Sequence, residues 1–423
     1  MRRARRGARA VSGGLVLVLV LALVASACSR GQDRVVVGAV YPLSGSQGPG
    51  GLQEYRGAQI AVDLVNADGG VDGRQIELRA IDVPGSDAVP SAISSLKRDG
   101  VQVVIGSYGS TISRPAEAMA ARNGMLFWET GAVGEMTRVG AGRLVFRVAP
   151  SGRQLGRSAV AFVARRLAPM LDKDPGSLRF AVTGVDDPYG RAVSGGAVAE
   201  IERLGLHDAG LFPYDAQTLD ASSLVRRIAA ARPDVLFVAA YLQDGVAIRK
   251  AIVSQHVPLV ANIGSSSSYC MPAFGAALGP QAVGVFASDK PDAEYLDQAG
   301  LSGEARDVLR QAARMYEDRF GEEMEAPALA GFAAAWALFH WVMPRASAMT
   351  PDAVAAAARG MHLGIGELPN GSGLAFGAPG SRQAGTNLNA SSVIWEWTGV
   401  DHRVVVWPPR FARSSIQAIP LGT

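Results

Sequence analysis

From Val35 to Gly264 the chain repeats one unit: a short apolar run, a loop rich in glycine or hydroxyls, then a stretch with helical spacing. VVVGAVYPL reads as a strand buried on both faces, the kind found inside parallel sheets. After the Gly-rich loop SGSQGPGG, the stretch LQEYRGAQIAVDLVN places Ile60, Ala61, Leu64 and Val65 on one helical face. NADGGVDGR is a dense turn signal, and QIELRAID, DAVPSAISSLKRDG, VQVVIG, PAEAMAARNG and MLFWET then continue as strand, helix, strand, helix and strand. Strands joined through helices run parallel and build a doubly wound sheet. A second round starts at SAVAFVARRLAPML and runs through LRFAVTGV, AVAEIERLGL, SSLVRRIAAARPD, VLFVAAY, GVAIRKAIVSQ and PLVANIG. The pattern predicts an α/β fold with two lobes, followed by a helical region over 302–346, a helix at PDAVAAAARG and a strand-rich tail.

A chain of 423 residues with 48% hydrophobic and 19% charged residues has the composition of two or three packed domains. Its formal charge of +3 is carried by the N-terminus, where Arg2, Arg3, Arg5, Arg6 and Arg9 precede any acidic residue. Of the 41 basic residues, 36 lie beyond these five against 38 acidic ones, a balance of −2. A weakly acidic body argues against a nucleic-acid partner. MRRARRGARA followed by GLVLVLVLALVA has the layout of an export signal, too short to span a bilayer. It ends in VASACSR, which resembles a bacterial lipobox with Ala25 where Leu is preferred, so Cys28 is the expected lipidation site. Cys270 is the only other cysteine, so no disulfide framework is expected. LAGFAAAWALFHWVM (329–343) reads as a buried core helix because it is short and contains His340.

Signals for catalysis fail one by one. GSYGS is not the Gly-x-Ser-x-Gly of a nucleophile elbow, and SGSQGPGG lacks the Gly-Lys-Ser/Thr ending of a phosphate loop. The five histidines are scattered and form no metal-ligand spacing, so neither a metal nor a cofactor is expected, and the chain is not read as an enzyme. What stands out instead is VVIGSYGSTISRP (103–115), a strand that empties into hydroxyls at the mouth of a helix. In open α/β sheets ligands bind beyond the carboxyl ends of strands, where helix N-termini present free N–H groups. Ser107, Ser110 and Thr111 lie at such an exit, though a serine or threonine there can equally serve as an N-cap. A helix end supplies about 0.3–2 kcal/mol. Micromolar binding needs about 8 kcal/mol, so such a pocket must add hydrogen bonds and an apolar wall.

VGAVYPLSG, NADGGVDGRQIEL, VVIGSYGS, MLFWETGA and VDDPYGRA, in this order, resemble the type I periplasmic binding proteins, and among them the leucine/isoleucine/valine-binding branch that serves ABC importers. The resemblance runs from about Val35 into the tail, with GGVDGRQIEL as its most specific piece. It implies two doubly wound parallel-sheet lobes joined by three hinge crossings and closing on a ligand. The expected division is 1–27 leader, 28–34 tether, 35–149 with 288–365 as the first lobe, 150–287 with 366–410 as the second, and 411–423 as a tail. The family's carboxylate-binding serine falls on Ser110, with Thr111 beside it, and its backbone ligand groups fall on Thr130, Gly131 and Ala132. Tyr189 of the DDPYG loop and Tyr241 are the matching aromatics of the second lobe; the alternatives are a loop cap and hinge packing.

The sequence also departs from that pattern. Ala132 stands where amino-acid binders use threonine, serines 265–268 stand where a glutamate partner for an ammonium is expected, and Gly50 or a neighbour replaces a first-loop aromatic. Glu129, at a position that usually holds a small residue or proline, is either a substitute ammonium partner or part of a hinge salt bridge. The resemblance therefore implies a monomeric, lipid-anchored receptor on the outer face of the cytoplasmic membrane. It would pass a small polar solute (an amino acid, amide, urea or small carboxylate) to ABC permease and ATPase subunits. The alternatives are a receptor of the same fold that signals to a membrane sensor, and an extracytoplasmic hydrolase. Cys28→Ser is expected to move the protein from the membrane pellet to the soluble fraction; continued pelleting would argue against lipidation.

Overall fold

The computed structural model describes residues 34–422, so the leader and Cys28 lie outside the described residues. The first sheet contains β1 (Val35–Tyr41), β2 (Ile76–Asp82), β3 (Val103–Gly106), β4 (Leu126–Glu129) and β5 (Val145–Arg147). The strands run parallel in the order β2-β1-β3-β4-β5. The crossovers carry α1 (Gly48–Ala67), α2 (Val89–Arg98) and α3 (Ser110–Arg122). Within this sheet only β5 was not expected from the sequence, because three residues are too few for a periodic signal.

The second lobe opens with α4 (Gly152–Phe162), started by a capping box in which Ser151 and Gln154 satisfy each other's free N–H groups. It continues with β6 (Arg179–Val185), α5 (Pro188–Leu204), β7 (His207–Tyr214), α6 (Ala221–Ala230), β8 (Val235–Ala239), α7 (Leu242–Ser254), β9 (Ala261–Ser265), α8 (Pro272–Leu278) and β10 (Phe286–Asp289). The chain then returns to the first lobe as α9 (Gly303–Phe320), α10 (Ala326–Trp336) and α11 (Pro351–Gly360). Its last strands, β11 (Val393–Gly399) and β12 (His402–Trp407), add an antiparallel hairpin, giving the order β7-β6-β8-β9-β10-β11-β12. The chain thus crosses between lobes three times, after β5, after β10 and before β11.

The segment read as a core helix from its short apolar run is one. Residues 326–345 are long and apolar enough to cross a membrane, yet Leu329, Phe332, Leu338 and Phe339 are fully buried inside the protein. An all-round apolar helix belongs in the interior. α10 lies unusually close to α1: a Cβ on Gly57 would sit 1.9 Å from the Ala328 carbonyl oxygen, and one on Gly331 would sit 2.0 Å from that of Glu54. Glycine at both positions lets the two backbones touch, and this contact fixes where Glu54 sits.

Two lobe boundaries differ from those expected. β10 belongs to the second sheet, pairing with β9, so the return crossing begins at Lys290. The Gly- and Pro-rich stretch expected in the second lobe instead lines the first: Arg147 N donates to Gly385 O at 2.8 Å, and Asn387 Nδ2 donates to Val148 O at 3.0 Å. Phe376 explains the placement, since its ring completes an aromatic cluster with Trp128 and Phe146 at 5.5 and 5.0 Å. The richness of LPNGSGLAFGAPGSRQAGTN (368–387) in glycine, proline and asparagine reads as loop but holds no information about which lobe its one large aromatic fills.

At the second crossing Asp292 pairs with Arg403 of β12 at 2.9 Å, both nearly buried, and the guanidinium stacks 4.1 Å over Trp395. Breaking a buried pair from one side strands the other charge. Asp292→Ala is expected to lower the unfolding free energy by about 3–5 kcal/mol, measured by urea denaturation. The double replacement Asp292→Asn with Arg403→Met is expected to recover part of that loss.

Candidate functional site

Two loops of the first lobe face the second: the exit of β3, Ser107–Ser110, and the exit of β4, Thr130–Thr137. Main-chain bonds lock them together, Thr130 N to Gly106 O at 3.0 Å and Ala132 N to Ser107 O at 3.1 Å. Ser110 is the first residue of α3 and is not its cap; the N-cap is Gly109, which makes no side-chain bond. The Ser110 hydroxyl, 5% exposed, instead accepts from Gly134 N at 3.0 Å. Thr111 Oγ1 accepts from Gln47 Nε2 at 3.1 Å, so it too is engaged outside the cap position.

Glu129 has a role that was not expected. Its Oε1 accepts from Gly131 N at 3.0 Å and Ala132 N at 2.8 Å, and its Oε2 accepts from Ser107 N at 3.4 Å and from the Ser113 hydroxyl. Both oxygens are therefore taken by donors of the first lobe, and Glu129 forms neither a hinge salt bridge nor an open carboxylate. The same backbone N–H groups expected to meet a ligand hold this side chain. Behind it, Glu117 accepts from Thr137 N at 2.7 Å and lies 3.9 Å from Arg147, which donates to Gly134 O. Burial, followed by the charge of Glu117, pushes the Glu129 carboxyl well above its ordinary range.

A second buried cluster lies at the hinge side. Thr130 Oγ1 meets Glu54 Oε1 and the Tyr41 hydroxyl, and all three residues are fully buried. Glu54 Oε2 has no hydrogen-bond partner and lies so close to Gly131 that a Cβ there would sit 1.8 Å away. Lys290, 6% exposed, reaches across to donate from Nζ to Gly131 O at 3.0 Å. Burial, opposed by Lys290, raises the Glu54 carboxyl to about 8.

From the second lobe come the carboxyl ends of its parallel strands. Tyr189 is 2% exposed; its ring lies 5.2 Å from that of Tyr241 and its hydroxyl donates to Ser266 O. Tyr241 is half-buried and donates to Asp187 Oδ2 at 2.7 Å. Asp187 also caps α5. Ser265 ends β9 and Ser266 follows it, and Asp289 ends β10, where its Oδ2 accepts from the Cys270 thiol at 2.7 Å. The lobes meet where Gly134 packs between Ser110 and Pro188, and at the rim Arg153 pairs with Glu135 at 3.1 Å. Ser110 and Pro188, the residue before Tyr189, thus meet at one contact between the lobes.

Tyr108 was missed by the sequence reading. Its ring lies over Gly50, where a Cβ would sit 2.4 Å from Cζ. Burial raises the Tyr108 phenol, and the charges of Asp289 and Glu54 reinforce the shift. An aromatic in a strand-exit loop was the available signal. Chemically, the gap combines hydroxyls, two buried carboxyls, an ammonium and tyrosine rings. Its one thiol, Cys270, is held protonated by burial and by Asp289. Among the described residues no group of three or more His, Cys, Asp or Glu could hold a metal ion.

The raised carboxyls set a pH dependence. Glu54 and Glu117 ionise near 8 and 7 in the folded chain, against an ordinary value of 4.5. Between those limits the folded state holds more protons than the unfolded one, so stability falls as pH rises. The slope is at most about 1.4 kcal/mol per pH unit for each group. Chemical unfolding from pH 5 to 8.5 is expected to show this decline, and Glu54→Gln is expected to flatten its upper part; an unchanged profile would remove Glu54 as a source.

The periplasmic binding protein family model matches residues 34–398. The Leu/Ile/Val-binding protein homolog 8 of Brucella suis is 27% identical over 372 residues, covering 87% of this chain and 90% of that one. The branched-chain amino acid transporter substrate binding protein of Streptococcus pneumoniae, in complex with isoleucine, superposes with a TM-score of 0.69 at 18% identity, covering 89% of this chain and all of that one. An ABC transporter solute binding protein of R. palustris, in complex with benzoate, gives 0.69 at 15% identity and covers 92% and 99%. Proteins of this kind bind solutes and are not enzymes. With two α/β lobes, three crossings and a match over most of its length, this chain belongs to the periplasmic binding protein family.

Proposed function

We propose that the chain is the solute receptor of an ABC importer, lipid-anchored through Cys28 on the outer face of the cytoplasmic membrane. It captures a small polar solute in the gap between its lobes: an amino acid, amide, urea or small carboxylate. The observation that supports this reading is that the two lobes meet at the strand-exit loops, with Ser110 and Gly134 against Pro188. Hydroxyls and tyrosine rings on both sides give a solute hydrogen bonds and an apolar wall together. In this reading Ser110, Thr111, Thr130, Gly131 and Ala132 serve the ligand from the first lobe, and Tyr189 and Tyr241 from the second. Because Glu129 already occupies the Gly131 and Ala132 amides, those residues act chiefly through the shape of their loop.

A solute touching both lobes binds the closed arrangement better than the open one, and that difference shifts the hinge equilibrium. The ABC permease then reads the closed form. The Brucella suis relative carries a Leu/Ile/Val-binding name, and the two solved relatives hold isoleucine and benzoate. These names support a small amphipathic solute without choosing between an amino acid and an acid. Ser110→Ala removes the acceptor of Gly134 N as well as a hydroxyl at the gap, and is expected to weaken solute binding by about 1–3 kcal/mol in calorimetry. Recovery of the solute chemically unchanged after binding is the matching expectation; turnover would overturn the receptor reading.

A further inference from the structure

Four features of the gap point to one end of the solute. Asp289 is 3% exposed, and its Oδ1 has no hydrogen-bond partner although Oδ2 is held by Cys270. Glu54 is fully buried, and its Oε2 likewise has no partner. Lys290, next to Asp289 in the chain, donates to Gly131 O, and Glu54 Oε2 lies against the same Gly131, which brings the two carboxyls to one end of the lobe contact. Ser265, fully buried and paired across the sheet with Ser288, the neighbour of Asp289, has an unpartnered Oγ. Buried polar atoms are almost always satisfied, and each exception asks for a missing partner.

The unmatched atoms are mostly acceptors. Lys290 follows Asp289 in the chain; its Nζ donates to Gly131 O, and among the described residues it forms no ion pair within 4 Å with either carboxyl. Burial holds both carboxyls above their ordinary range, Glu54 at about 8, and an arriving cation would favour their ionised form. Resting on the gap being the solute site, we propose that Asp289, with Ser265 and Glu54 Oε2, binds the ammonium or another N–H-rich cationic head of the solute. Asp289 thereby takes over the part left open by the serines at 265–268. Tyr108, lying over Gly50, walls the same end with its ring, where a cation gains further from an aromatic face.

The test uses the full mature protein, unfolded and refolded to strip bound solute. Matched probes are leucine, isoamylamine and isocaproate; phenylalanine, phenethylamine and hydrocinnamate; and benzamidine against benzoate. Thermal stabilisation is expected from members that carry the amine or amidine and not from their nitrogen-free acids. For the best amine-bearing probe, Asp289→Asn is expected to raise Kd by about ten- to a hundredfold, the scale of a charged hydrogen bond. The amide oxygen can still accept from Cys270, so the fold is kept. Stabilisation by the acids alone, or an unchanged Kd in Asp289→Asn, would overturn the assignment of Asp289 while leaving the receptor reading intact. No stabilisation by any probe would overturn the receptor reading itself. If Asp289→Asn does not fold, the wild-type contrast between amines and acids decides alone.

Discussion

The loop after β4 takes its shape from charge buried behind it. Glu129, at the end of that strand, folds its carboxylate back onto the amides of Gly131 and Ala132, while Arg147 and Glu117 pin Gly134 and Thr137 further along. Each of these bonds is sealed from water, so each is strong and each would be costly to leave unmade. Everything on the first lobe's side of the gap follows from that loop: Gly134 N meets Ser110, Gly131 O meets Lys290, and Thr130 meets Glu54. The lobe presents a preformed wall, and the binding energy of a solute need not be spent on ordering it.

This arrangement separates two tasks that one set of amides could have shared. In an open nest, backbone N–H groups wait for a ligand's carboxylate; here an internal carboxylate satisfies them permanently. Beside the lobe contact, Glu54 Oε2, Asp289 Oδ1 and Ser265 Oγ are buried without a hydrogen-bond partner, and together they demand one. Lys290 moderates that demand and also joins the second crossing to the first lobe through Gly131. The hinge and the acidic end of the gap are therefore built from neighbouring residues, Asp289 through Asp292. A charge placed in the gap acts directly on the segment about which the lobes move.

The repeating strand and helix order was legible because continuous apolar strands and helical faces are local signals, and the exit of β3 was legible as a hydroxyl cluster at a helix mouth. What escaped was decided by contacts distant in sequence. β10 is four residues long, so Asp289 had no recognisable place at a strand end. Phe376 is a single aromatic in a glycine-rich stretch, and only the space beside Trp128 and Phe146 tells which lobe it fills. Glu129 was legible as an anomaly, a carboxylate where small residues are usual. Its partner could not be read, because the amides that hold it carry no side-chain signature.

Tyr108 and Gly50 show how two departures can be one. A first-loop aromatic is missing at Gly50, and an aromatic is present at the next strand exit; the ring of Tyr108 occupies the space that any side chain at Gly50 would need. The two positions are 58 residues apart in the chain yet compete for one volume, so large residues at both would clash. Supplying the ring from the β3 exit also seats it one residue from Ser107, whose N–H donates to Glu129. The wall moves with the loop that Glu129 anchors, and the aromatic contact is set by the charges buried beneath it.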